Sequence, residues 1–76
     1  MHRFVVVFEK AESNWAGYCP DLPGCVATGS SREEVEANMA EALQFHVKGL
    51  REEGYEIPEV QSYAQVFPVG AGELEQ

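Results

Sequence analysis

Cys19 and Cys25 bracket the stretch Pro20-Asp21-Leu22-Pro23-Gly24, and with Glu9, Ser30, Ser31 and His46 they make up the side chains that could do chemistry. A zinc site needs two close ligand pairs. Here five residues separate the cysteines, which is wider than a zinc knuckle, and no second pair follows. A metal would have to recruit His2 or His46, and His46 falls within an apolar helical stripe, so no metal site is assigned and both cysteines read as structural thiols. Their places flanking a hairpin loop would let them face each other and pair under oxidation, incidentally to function.

Nucleophilic catalysis requires a base within reach of a hydroxyl or thiol. No Gly-x-Ser-x-Gly elbow, phosphate loop or dinucleotide fingerprint accompanies Ser30, Ser31 or the cysteines. A lone histidine on a helix face reads as a packed ring with one satisfied nitrogen. Two-metal nuclease chemistry would need several carboxylates in one pocket. Only Glu9 and Asp21 are placed for it, while most other acids belong to a helix exterior or the C-terminal stretch. The residues therefore predict no enzyme, no cofactor and no metal. The loop reads as a turn: Pro20 and Pro23 fix φ and remove donors, Gly24 permits positive φ, and Asp21 can cap nearby amides.

The elements that position these residues follow from periodicity. Phe4 to Phe8 is a short, β-branched-rich apolar run, a strand covered on both faces and hence central in its sheet. A second strand is expected from Trp15 to Cys19 and a third from Cys25 to about Thr28, in an antiparallel meander. Ser31 with Glu34, or Ser30 with Glu33, opens a helix as a capping box. Val35, Met39, Ala42, Leu43, His46 and Leu50 give that helix one apolar stripe, and Gly54 and Pro58 end it. Tyr63 to Phe67 reads as a fourth strand, parallel to the first after a right-handed crossover.

The expected fold is thus α+β, a β-β-β-α-β domain with strand order 3-2-1-4 and one helix on one face. It spans residues 1–68, with a flexible tail at 69–76. One helix cannot cover both faces of four strands. The open face, carrying either the Phe4 or the Val5 set, predicts a homodimer or larger assembly.

Composition narrows the partner. The chain has 76 residues, 45% of them hydrophobic, enough for one folded domain and no second. Twelve glutamates and one aspartate stand against five Lys and Arg, for a net charge of −8. That balance cannot lay down a phosphate-binding footprint, so no direct nucleic-acid contact is expected, and a basic partner suits it better. Neither a signal peptide nor a membrane-spanning run is present, which predicts a cytoplasmic protein with free thiols. Phe45, at the edge of the stripe, and Trp15 offer aromatic anchors beside a charged rim.

From Trp15 to Leu43 the sequence WAGYCPDLPGCVATGSSREEVEANMAEAL, preceded by the apolar first strand, resembles the HicB-like antitoxin family. The resemblance rests on Pro20-Asp21-Leu22-Pro23-Gly24-Cys25, then Gly29, the Ser31-to-Glu34 helix start, Asn38 and Glu41-Ala42, and extends from about Phe4 to Pro58. It implies a partial ribonuclease-H-like fold and a type II antitoxin that neutralises a small basic HicA-type mRNA-cleaving toxin. The namesake nuclease activity does not carry over with the fold. Family members commonly add a C-terminal DNA-binding domain. This sequence departs there, with a nine-residue Gly- and Glu-containing stretch after Phe67, so no DNA binding is assigned. On this reading Asp21, Glu33, Glu41 and Phe45 are the expected toxin contacts. The alternative is a stand-alone oligomeric relative with another protein partner or a regulatory role.

Overall fold

A computed structural model describes residues 2–70 and 72. The chain forms β1 (Val7–Lys10), β2 (Trp15–Tyr18), β3 (Val26–Gly29) and α1 (Arg32–Glu52) in that order. The strands make an antiparallel sheet in the order β1-β2-β3, with Phe8 opposite Gly17 and Gly17 opposite Ala27. Ala11 N–H donates to the Asn14 carbonyl at 2.8 Å and closes the first turn.

The start of α1 follows the Ser31–Glu34 capping scheme, not the Ser30–Glu33 one. Ser31 is the N-cap and its Oγ accepts from Glu34 N–H at 3.1 Å, while Glu34 Oε1 accepts from Ser30 N–H at 2.8 Å. The helix therefore satisfies two otherwise orphaned donors with its own side chains. At the far end Tyr55 N–H reaches the Leu50 carbonyl (2.9 Å) and Gly54 N–H reaches that of Arg51 (3.1 Å). This paired closure turns the chain back at Gly54, as the sequence predicts.

The helix packs on β3 and, less extensively, on β2. The buried cluster joins Cys19, Leu22, Cys25 and Met39, with Phe4, Val6, Ala27, Ala42, Leu43, Val47 and Leu50 packed around it. Leu22, Val35 and Met39 are 1% exposed, and burying such side chains contributes about 1.5–3 kcal/mol each. Close approach of helix and sheet depends on Gly29. A Cβ there would lie 2.5 Å from Val35 N and 2.8 Å from Val35 Cα, so no larger residue fits without moving backbone. Because Phe4 and Val6 pack on the core beneath α1, the Val5 set lies on the open face. There Val7, Tyr18 and Val26 stand in register across the strands, Tyr18 40% and Val26 63% exposed.

Two expectations change. Tyr63–Phe67 joins no ladder, so the described residues hold three strands, not four. As a result β1 is an edge strand, not the middle one of a 3-2-1-4 order, and Phe4–Val6 run on beyond the end of β2 without a strand partner. The physical reason lies at Asp21. Its carboxylate holds Gln61 and Ser62 at the β2–β3 connection, on the side of the sheet order away from the outer edge of β1. Of the tail expected at 69–76, only 69, 70 and 72 fall within the described residues.

Candidate protein-binding surface

The β2–β3 connection is built as a closed turn. Leu22 N–H donates to the Cys19 carbonyl (3.2 Å), Cys25 N–H to that of Leu22 (3.0 Å), and Cys19 N–H to that of Cys25 (3.1 Å). Pro20 and Pro23 are exposed on its rim, and Gly24 adopts φ 85°, the left-handed conformation that closes it. Leu22 anchors the turn from beneath. Both cysteines are free and 3% exposed. Burial, reinforced by the neighbouring Cys19 sulfur, raises the pKa of the Cys25 thiol above its ordinary value. A thiol that stays protonated at neutral pH is a poor nucleophile and a poor metal ligand.

Asp21 has a different occupation from the one its sequence position suggests. Its Oδ2 accepts from the N–H groups of Gln61 and Ser62, and its Oδ1 from the Ser62 hydroxyl, each at 3.2 Å. It clasps the chain that follows α1. Glu9, the other carboxylate placed for metal chemistry, lies opposite Ala16 toward the β1–β2 turn, whereas Asp21 follows the other end of β2. The sheet separates them, and among the described residues no three His, Cys, Asp or Glu side chains gather to hold a metal.

The exposed side of α1 is where interaction chemistry concentrates. Phe45 is 79% exposed on a helix whose inner face is buried, an apolar ring that its own fold does not cover. It borders two shallow hollows. One is lined by Asn38, Glu41, Ala42 and Phe45, and the other by His46, Gly49, Leu50, Glu52, Glu53 and Tyr55 besides Phe45. Glu41 and Glu52 lie four residues before and seven after Phe45, the spacings that share a helix face. The Asn38 amide donates to the Thr28 carbonyl at 2.8 Å, tying that helix flank to β3.

Of the four expected contact residues, the structure thus brings Glu41 and Phe45 together. Glu33 is exposed but lies twelve residues before Phe45, about 18 Å along the axis. Asp21 stands on the β2–β3 connection, occupied by its own chain. Trp15 is half-buried, with the Arg32 guanidinium 5.9 Å from its ring centre. Sequence reasoning missed Tyr55, 65% exposed, and the pair Glu52–Glu53 as members of the Phe45 patch. The signal was present in Gly54: a helix closed by a reversing turn folds its next residue back onto its last turn.

Comparison with known proteins places the chain. The sequence profile described as HicB-like antitoxin of bacterial toxin-antitoxin system matches residues 4–69. An uncharacterised 14.9 kDa protein from the rep-hol intergenic region of Haemophilus phage HP1 is 33% identical over 55 residues, covering 72% of this chain and 41% of the phage protein. Antitoxin HicB 2 of Photorhabdus laumondii is 34% identical over 65 residues, 86% of this chain and 47% of that protein. A UPF0150 protein of Synechocystis is 29% identical over 59 residues, 76% of this chain and 75% of its own length. The chain therefore spans less than half the length of the phage and Photorhabdus relatives. No solved structure gives a significant match.

Proposed function

The chain belongs to the family of HicB-like antitoxins of bacterial toxin-antitoxin systems, and on that premise we propose that it neutralises a small basic HicA-type mRNA-cleaving toxin by covering its RNA-binding surface. The observation that carries this reading is Phe45, 79% exposed between Glu41 on one side and Glu52, Glu53 and Tyr55 on the other. An aromatic ring within an acidic rim is what a basic RNA-handling surface would accept. The ring fills an apolar pocket, and the glutamates replace phosphate oxygens as anionic partners for Lys and Arg. Neutralisation then needs no chemistry from this chain, which acts as a non-enzymatic cover in the cytoplasm.

The reading includes self-association, and a partial ribonuclease-H-like arrangement in which Tyr63–Phe67 supplies a fourth strand only in the assembled state. Its test is titration of the chain with the toxin encoded beside its gene. Phe45→Ala, at an exposed position, leaves the fold intact and weakens toxin binding by about 30-fold or more, the loss expected of an aromatic anchor worth roughly 2 kcal/mol. Unchanged affinity would remove Phe45 from the interface. A second reading, an oligomer with another protein partner, draws on the open sheet face, where Tyr18 is 40% and Val26 63% exposed. Failure of the chain to bind the toxin or to rescue growth would favour it.

A further inference from the structure

β1 has an outer edge with no strand partner among the described residues. Between Phe4, in the segment leading into β1, and the second half of α1 runs an open groove of about 630 Å³ lined by His2, Phe4, Leu43, Val47, Lys48 and Arg51, with Gln44. Its floor is apolar, and its rim carries two of the five Lys and Arg side chains of an otherwise acidic protein. This is where a further strand would sit if the sheet continued under the helix.

The segment able to fill it lies elsewhere. Tyr63-Ala64-Gln65-Val66-Phe67 has strand-forming composition, yet it joins no ladder and is exposed, with Tyr63 at 83%, Val66 at 91% and Phe67 at 74%. The molecule measures 52 Å along its longest axis although α1, at 21 residues, accounts for about 31 Å. Its radius of gyration is 15.5 Å, against about 11 Å for a compact chain of this length. An arm projects, and its ladder groups and apolar side chains are unused.

The arm cannot reach its own β1 while the Asp21 clasp is closed. Ser62 is held at the β2–β3 connection, and the vacant position beside β1 lies two to three strand spacings away, roughly 10–14 Å. Tyr63 follows Ser62 by a single residue, a step of about 3.8 Å. A second molecule removes the conflict. We infer that two copies exchange their Tyr63–Phe67 arms, each arm adding a strand parallel to the partner's β1 and packing into the groove lined by Phe4, Leu43 and Val47.

Exchange reproduces between chains the contacts a fourth strand would make within one, and gives a closed two-fold dimer in which each copy donates and receives the same element. Along the arm Tyr63 and Phe67 share one face, opposite Ala64 and Val66. Across the dimer four aromatic rings move from water into grooves, each able to bury about 150–250 Å². Counting the matching groove surface doubles that, within the roughly 1,200–2,000 Å² of a stable interface. Pro58 and Pro68 bracket the arm and keep its ends from being absorbed into a helix.

The test is sedimentation of the whole chain at micromolar to 100 micromolar concentration, combined with isotope-filtered NMR on a mixture of labelled and unlabelled chains. A dimer is expected, with NOEs between chains linking Tyr63 or Phe67 to Phe4, Leu43 or Val47. The double variant V66K/F67E alters residues that contribute nothing to the single-chain core. It should keep the circular dichroism spectrum while weakening self-association by roughly a hundredfold. A clean monomer overturns the inference, as do NOEs from the arm to the groove found only within one chain. A dimer undiminished in V66K/F67E would instead place the contact on the open face at Val7, Tyr18 and Val26, and equally overturns it. The inference rests on the self-association in the proposed reading, but none of these readouts involves the toxin, so arm exchange and toxin neutralisation fail separately.

Discussion

Replacing Asp21 with alanine separates two roles for this residue. Its carboxylate accepts from Gln61 N–H, Ser62 N–H and the Ser62 hydroxyl, all at 3.2 Å and in exposed or half-buried surroundings. Bonds of that length near solvent contribute toward the low end of the usual range, about 0.5–1 kcal/mol each, so the clasp as a whole is worth about 2 kcal/mol. The cost is local because Asp21 lies outside the buried cluster. Hydrogen exchange by NMR should therefore show the Gln61 and Ser62 amides losing protection by about 30-fold in Asp21→Ala. The Glu34 amide, bonded to Ser31 Oγ at the opposite end of the helix, serves as an internal control and should not change. If Gln61 and Ser62 exchange equally fast in both proteins, the clasp does not hold the arm. If instead toxin affinity collapses while their protection persists, Asp21 is a contact residue rather than a strut.

Gly29→Ala should be costly. The added methyl would meet the Val35 backbone at 2.5 and 2.8 Å, and overpacking of about 1–3 kcal/mol lowers the melting temperature by roughly 5–20 °C for a domain of this size, so calorimetry showing no change would contradict the helix–sheet contact. Cys25 makes a pH prediction. Its folded pKa is raised above the ordinary 9.0, so its stabilising contribution is fully present below about pH 9 and is lost as pH climbs through the folded value; denaturant midpoints should be flat on that account below pH 9 and fall above it. At pH 7.5 both thiols of the native chain should resist iodoacetamide and react in denaturant, and rapid native alkylation would contradict their burial.

Local chemistry made much of the fold legible. The meander followed from three short apolar runs, and the helix from the Ser31–Glu34 cap, its stripe and Gly54. The Pro20–Gly24 turn followed from φ restrictions that act within a few residues. Strand limits moved because Phe4–Val6, apolar enough for a central strand, outrun the end of β2 and have nothing to pair with. The fourth strand was not settled by its own composition. Whether Tyr63–Phe67 pairs depends on where Ser62 is held, and that contact spans 41 residues, a distance no local pattern encodes. The same limit applied to the surface. Phe45 and Glu41 could be joined by helical spacing, but Tyr55 enters the patch only through the turn at Gly54, and the two-sided role of Asp21 needed its partners in view.

The central claim is that an acidic, Phe45-centred helix face covers a basic toxin. Calorimetric titration of the chain with the toxin encoded beside its gene, run at low and high salt alongside Phe45→Ala, tests it most directly. The account predicts tight binding that weakens as salt screens the glutamates, and a loss of about 30-fold or more in Phe45→Ala. Absence of binding at micromolar concentrations, or binding indifferent to both salt and Phe45, would contradict it.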